Sequence, residues 1–385
     1  MFIGKSKAML MFFMVLMLAV AMVFAAGCDD ADEPVEDVEE VDEVNEVEEV
    51  DEDEEEAAPV EPEYEWRFGA YFSTDHHLTQ GALKFAEEMD RLTDGRVLVD
   101  VYPDMQLGTG EEMLEGVQLG SIDLCEATLT AVTEWDDTFF FLNLPFLFHE
   151  PEVAYAFLDG SMGRDLLGEV GDTNIRVIAF WENGFRNITS NIGPIVEPED
   201  IVGQDIRLMP NPVHMDGFSQ VNANPTPMAF GELFTALQQG VIDGQENPLA
   251  NIYDMSFHEV QDYLTVSGHY YDVTGFYITE SLYQSLPGDI QDAVDEAAIA
   301  ATKYHRGLAR EADERLLDYY LESDHFVEVN VLTPEQKARW QEAMAGTYDN
   351  FRDQIGADFL EEVLEEVESL HQQFYDGELD TSDLY

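Results

Sequence analysis

The sequence predicts an α/β protein of two lobes, and three observations predict it. From Tyr64 onward, short apolar runs of strand character alternate with stretches whose apolar residues recur at helical spacing. The opening order is strand, helix, strand, helix, which favours a parallel sheet covered by helices. After Pro287 comes a helical pattern of about 30 residues, or about 45 Å at 1.5 Å per residue. A helix of that length exceeds the width of one domain and is expected to brace two.

The elements follow in order. Trp66–Ala70 reads as a strand. Leu78, Ala82, Phe85, Ala86, Met89 and Leu92 then fall on one helix face before a stop at Gly95. Val97, Val99 and Val101 alternate as a strand, Met113, Leu114, Val117 and Leu119 suggest a second helix, and Ile122–Cys125 a short apolar strand. Later, a helix near Val153–Leu167 leads to a strand at Arg176–Trp181, and a strand at Asp205–Met209 precedes a helix near Val213–Val221. A helix at Leu233–Gln239 leads to a strand at Val241–Asp243. The long helix carries Ile290, Val294, Ala297, Ala301, Leu308 and Leu316 and is interrupted only by Gly307.

With 385 residues, 45% of them hydrophobic, the chain has enough apolar material for two ordinary domains or one large α/β unit, and it is not a disordered protein. Its 17 Lys+Arg against 82 Asp+Glu give a formal charge of −65, which repels nucleic acid phosphates and excludes nucleic-acid binding. Residues 1–63 hold 21 acids and two lysines, so −46 belongs to the chain from Tyr64 onward. A folded surface that acidic is relieved by salt, which points to a halophilic or brine-exposed source. The two cysteines, Cys28 and Cys125, have no Cys or His partner at metal or redox spacing. Cys125 reads as a small buried apolar residue.

Lys5 and Lys7 precede 19 consecutive apolar residues, Ala8 to Ala26, and Gly27 and Cys28 follow. A positive start, an apolar run and small residues make 1–27 a secretory signal. The ending Ala25-Ala26-Gly27-Cys28 resembles the lipobox of bacterial lipoproteins, which implies lipidation of Cys28 and a protein anchored to the outer face of the cytoplasmic membrane. An uncleaved signal anchor is the alternative, because 19 apolar residues just suffice to span a bilayer. Residues 28–63 are dominated by acids and repeat valine at 35, 38, 41, 44, 47 and 50, a spacing that fits neither a helix stripe nor a strand face. Such a self-repelling coil is an extended tether.

Catalytic chemistry has no positive support. No GxSxG, P-loop, HExxH or dinucleotide fingerprint occurs. His76-His77 lacks a third metal ligand at usable spacing, and among 82 acids no pair stands out as a general acid and base. No metal and no cofactor are expected. The informative residues are arginines, because a guanidinium on an apolar strand needs a partner. Arg186 lies in Trp181–Asn191 and Arg207 in Gly203–Met209, both strand-like segments between glycine-marked turns. Each arginine either pairs with one of the many acids or forms a bidentate clamp for a ligand carboxylate.

At these residues the chain resembles the solute-binding proteins of TRAP transporters, the tripartite ATP-independent periplasmic systems. The resemblance runs from Trp66 through Tyr102–Gly108, Gly120–Asp123 and Leu144–Phe148, and is most specific over Ala223–Glu232 and Ala236–Pro248. It implies a two-lobed, periplasmic-binding-protein-like fold with hinge strands and a ligand cleft between the lobes. Lobe I is then 64–183 plus 272–311, and lobe II is 184–271 plus 312–385. It also implies binding of a small organic acid and its delivery to the small and large membrane permease subunits, with no enzymatic turnover. Carried over residue by residue, Arg207 is the principal carboxylate clamp, Arg186 a second cation, Asn247 a polar contact and Phe230 an apolar wall. Tyr71, His77, Thr128 and His269 complete the expected site.

The run Trp181–Asn191, with Ser267–Tyr271, looks like the branch that binds sugar acids such as uronates or keto-sugar acids. Binders of four-carbon dicarboxylates keep the same arginine and remain the alternative. Thr128 stands about where the sialic-acid branch has an acid, which argues against that ligand. Arg186 argues against a zwitterionic osmolyte, since ectoine-type relatives lack the corresponding arginine. A secreted two-domain α/β enzyme acting on a carboxylate is the reading from a different class, and product formation distinguishes it from saturable binding.

Overall fold

The computed structural model describes residues 61–385; the expected secretory signal, Cys28 and nearly all of the segment expected to be a tether lie outside the described residues. β1 (Tyr64–Gly69), α1 (His77–Leu92), β2 (Val97–Tyr102), α2 (Gly110–Gln118) and β3 (Leu124–Thr128) make the opening, with β1 parallel to both β2 and β3. α1 forms because Leu78, Ala82, Phe85 and Met89 share its buried face, and His76 caps its first turn. Thr109 and Glu112 close a capping box at the start of α2. Two 3₁₀ segments, Leu129–Glu134 and Asp137–Asn143, precede α3 (Pro151–Asp159), α4 (Ser161–Asp165), β4 (Gly168–Glu169) and β5 (Ile175–Phe185). The single helix expected near 153–167 is thus two, separated at Gly160.

A second unit follows with β6 (Asn187–Ser190), β7 (Asp205–Leu208), α5 (Pro212–Gln220), β8 (Asn224–Pro227) and α6 (Leu233–Gln238). β9 (Gly244–Asn247), α7 (Leu249–Asp254) and β10 (Tyr263–Val266) complete its middle. The chain then continues through β11 (Tyr271–Thr279), α8 (Glu280–Ser285), α9 (Gly288–Glu322), β12 (Glu328–Val331), α10 (Pro334–Met344), α11 (Gly346–Ile355) and α12 (Ala357–Tyr375). The strand expected at Val241–Asp243 is a turn, and the strand begins at Gly244.

Two six-stranded sheets result, ordered β2-β1-β3-β11-β5-β4 and β12-β10-β6-β9-β7-β8. Neither is purely parallel, as the opening rhythm had suggested. β11 runs antiparallel to β3 and β5, because it re-enters the first sheet from the second through a short link rather than a helical crossover. All nine of its residues are buried, as befits a strand flanked on both sides.

The chain passes between the sheets twice in close company. Arg186 alone separates β5 from β6, residues 267–270 separate β10 from β11, and the Arg186 amide donates to the Tyr270 carbonyl at 2.9 Å. α9 is the third bridge. Ile290, Val294, Ala297 and Ala301 pack with Phe68, Phe85 and Trp181 of the first lobe, while Leu316 and Tyr320 pack with Leu233, Ile252 and Phe257 of the second. One expected boundary is corrected. α10 does join the second lobe through Trp340 and Met344, but α11 lies between the lobes, with Asn350 donating to Asp216 of α5 at 2.9 Å and Phe351 packed on Phe140, and α12 returns to the first. Phe351, Ile355, Leu360 and Val363 bury their apolar face in the cluster of Phe141 and Phe157, so 312–385 is not one block of lobe II.

Candidate ligand-binding site

A cavity of about 590 Å³ is lined from both lobes, a size suited to a small organic molecule. The first lobe supplies Tyr71 from the loop after β1, Glu126 and Thr128 from β3, and Asn183 from β5. The second supplies Arg207 from β7, Phe230 from the turn before α6, Asn247 from the end of β9 and Asn251 from α7. Arg186, the residue between the two sheets, also lines it.

The two arginines resolve differently. Arg186 is 1% exposed, and its Nε and Nη2 donate to the Glu246 carboxylate at 2.5 and 2.8 Å. Its Nη1 donates to Asp272 at 2.6 Å, and Nη2 also reaches the Asn247 side-chain oxygen at 3.2 Å. Burial opposes its charge, but Glu246 and Asp272 hold it firmly protonated. Burial likewise works against the Glu246 carboxylate, and Arg186 overcomes this to keep it ionised well below the usual carboxylate range. Arg186 is therefore a charge-compensated strut.

Among the described residues Arg207 has no carboxylate partner. Its Nε and Nη2 donate to the Met228 carbonyl at 3.0 and 2.7 Å, which fixes the plane of the guanidinium, and its buried Nη1 has no partner among those residues. The Phe230 ring lies 5.7 Å from its central carbon. Burial, and next the neighbouring Arg186 charge, bring its pKa down to about 10, so it remains a cation at neutral pH and is short of a counter-anion. A buried guanidinium held in place with a free donor facing a cavity suits an incoming carboxylate. Asn247 stands beside it, with its side-chain oxygen accepting from Arg186 and Asn251 and its amide donating to Gln245.

Two expected site residues lie elsewhere. The His77 ring is buried between His76 and His305, with 3.3 Å separating the His77 and His305 Nδ1 atoms. His269 sits behind the Arg186–Glu246 pair, its Nδ1 bonded to Ser267 Oγ at 2.7 Å and its Nε2 3.4 Å from Glu246. Neither lines the cavity. Thr128 does, and its hydroxyl donates to Asp272 at 3.2 Å.

Sequence reasoning missed Glu126 and Asn183. Glu126 is 1% exposed, and one carboxylate oxygen accepts the Tyr71 amide at 2.7 Å. Burial raises its pKa to about 7, with only that hydrogen bond in opposition, and no cation among the described residues is close enough to hold its charge. The available signal was an acid directly after Leu124-Cys125 and before Ala127, inside an otherwise apolar stretch. Asn183 donates to Asp272 at 2.8 Å and leaves its buried side-chain oxygen unpartnered at the cavity.

Residues 68–354 match the family model described as bacterial extracellular solute-binding protein, family 7, under the name DctP. The chain is 32% identical to the C4-dicarboxylate-binding periplasmic protein DctP of Rhodobacter capsulatus over 298 residues, 77% of this chain and 89% of that protein. The sugar acid binding protein DctPAm of Advenella mimigardefordensis, solved with galactonate, superposes with a TM-score of 0.76 at 32% identity, covering 80% of this chain and 98% of that one. A TRAP periplasmic solute-binding protein of Sulfurospirillum deleyianum, solved with succinate, gives a TM-score of 0.74 at 35% identity, over 79% and 99% of the two chains. Such proteins bind small organic acids outside the cytoplasm and work with membrane permease subunits. The two-lobed fold, the cavity between the sheets and this match over most of the described residues agree, and the chain belongs to the DctP family of TRAP-transporter solute-binding proteins.

Proposed function

We propose that the chain captures a sugar acid, such as a uronate or keto-sugar acid, by its carboxylate and delivers it to the TRAP permease without chemical turnover. The observation that carries this reading is the buried Arg207, positioned by the Met228 carbonyl and with Nη1 unpartnered beside the cavity. Asn247 adds a polar contact at the same end, Phe230 a wall, and Arg186 organises both arms of the clamp through its acids. Tyr71, Thr128, Asn183 and Glu126 then meet the rest of the ligand.

The charge of the lining favours a polyhydroxy monoacid over a dicarboxylate. Among the described residues that line it, Arg186 and Arg207 are the only cations, against Glu111, Glu115, Glu126 and Glu134. A second carboxylate placed away from the arginines meets uncompensated acids, whereas hydroxyl groups donate to them. The lipobox-like ending at Cys28 and the acidic segment after it support a lipid-anchored tether on the outer face of the membrane. The −46 carried from Tyr64 onward supports a brine-exposed setting.

Calorimetry with D-galacturonate, D-galactonate, a keto-sugar acid, succinate and malate tests the reading. Saturable binding is expected to be tightest for a sugar acid, with no product formed. Arg207→Lys, which loses the planar fork, is expected to weaken that binding at least tenfold, about 1.4 kcal/mol. Tighter binding of both dicarboxylates than of any sugar acid, or unchanged affinity in the variant, overturns it.

A further inference from the structure

The loop between β1 and α1 reaches across the cleft to the second lobe at two points. The Ser73 amide donates to the Asp254 carboxylate at 3.3 Å, and Ser73 Oγ donates to its other oxygen. Three residues on, His76 Nε2 lies 3.1 Å from the Asn251 side-chain oxygen. Asn251 and Asp254 stand three apart on α7 and so share a face of it. The neighbouring Leu249 and Ile252 anchor α7 in the core of the second lobe. On the same cavity wall as Asn251, Phe230 packs edge-on against Phe72 at 5.9 Å and tilted against Tyr71 at 5.4 Å.

The second bond continues into the ligand site. His76 Nδ1 accepts the Leu78 amide at 3.3 Å, so its ring proton sits on Nε2 and is donated to Asn251. Burial keeps the ring neutral, with a pKa near 4, and this leaves Nδ1 free to accept. The Asn251 amide in turn donates to the Asn247 side-chain oxygen at 3.4 Å, the same oxygen that Arg186 contacts. The donors all point one way, from the first turn of α1 to the amide beside Arg207, and hydrogen bonds aligned in this sense reinforce one another.

We propose that the Ser73–Asp254 and His76–Asn251 pairs form a two-point clasp that sets how long ligand is retained, and that the Asn251–Asn247 bond makes the clasp respond to an anion at Arg207. Ser73 and Asp254 act as positioning residues, since neither lines the cavity. The response to ligand rests on the carboxylate reading above; the clasp itself does not.

The test uses the full chain with Ser73→Ala, Asp254→Ala and the double variant. Hydrogen exchange over 70–76, read by mass spectrometry without ligand, is expected to quicken three- to tenfold in each variant. The double variant is expected to be no faster than the worse single one, because one interaction is removed in all three. With D-galacturonate, stopped-flow dissociation is expected to quicken by a similar factor while association stays within twofold. D-galacturonate is also expected to slow exchange over 70–76 in the unaltered chain and to lose that effect in Asn251→Ala. Unchanged exchange in Asp254→Ala, or strictly additive single variants, overturns the clasp whatever the ligand does. Faster exchange in a chain that fails to bind any sugar acid upholds the clasp and overturns the ligand reading instead.

Discussion

Glu126 shows how much a single residue's surroundings matter. Its folded-state pKa near 7 exceeds the 4.5 of an unperturbed glutamate, so the folded chain holds a proton that the unfolded chain has released. The stability this contributes is complete below about 4.5 and is lost as pH rises through 7, on the order of 3 kcal/mol for a fully buried group. Glu182, also pushed up to about 7 by burial, adds to the same slope. Buried histidines such as His76, His214 and His305 are pushed down and give the opposite slope below about 6.5, so the assignment is read as a difference: between pH 4.5 and 7.5 the thermal midpoint of Glu126→Gln is expected to gain on that of the unaltered chain. A difference that stays constant over that range refutes the assignment. At this scale the sequence was only half legible. Arg186 and Arg207 could be singled out because cations are scarce, yet nothing local distinguished the one enclosed by Glu246 and Asp272 from the one left open. That difference depends on residues 60 and 86 positions away in the chain from Arg186.

Among the elements, α9 was the most legible and β9 among the least. A sustained apolar stripe specifies a helix whatever surrounds it, and the stripe ran on past Gly307 as the helix does. A methyl group added at Gly307 meets, among the described residues, no atom within 4 Å apart from the backbone of its own helix and its chain neighbours, so Gly307→Ala is expected to stabilise the protein by about 0.5–1 kcal/mol through helix propensity and a less flexible unfolded chain. Urea unfolding checks this, and a lower midpoint contradicts it. The strand after α6 was placed too early because Val241 and Ile242 are apolar, but Gly240, at φ 64°, ends α6 and leaves them in the turn. Pairing starts at Gly244, where a Cβ would lie 2.2 Å from the Thr189 carbonyl, so glycine alone lets β9 approach β6 there. That requirement arises from a strand more than 50 residues earlier and leaves no periodic trace.

For the whole molecule the governing quantity is charge. With −46 on the chain from Tyr64 onward, self-repulsion weakens as the Debye length contracts from about 10 Å at 0.1 M to about 3 Å at 1 M salt. The unfolding midpoint is expected to climb over that range. Association of D-galacturonate is expected to quicken as well, because distant acids repel the anion while the buried Arg207 is screened little. Stopped-flow binding across a potassium chloride series, with a neutral osmolyte as viscosity control, decides it; an association rate that falls steadily with salt means the pocket's own field dominates. Charge of this kind is a sum over composition and was readable without any structure. So were the alternation of strands and helices, the bracing helix and the ordered motifs of the family, because each is a property of neighbouring residues or of their totals. Tertiary structure alone decided the antiparallel return of β11, the homing of α12 to the first lobe, and the withdrawal of His77 and His269 from the cavity. It alone decided the exposure of Glu126 and Asn183 to that cavity and the bonds that tie Ser73 and His76 to α7. Each of these depends on which distant surface a segment meets when the apolar faces are buried, and that is a property of the packed chain as a whole.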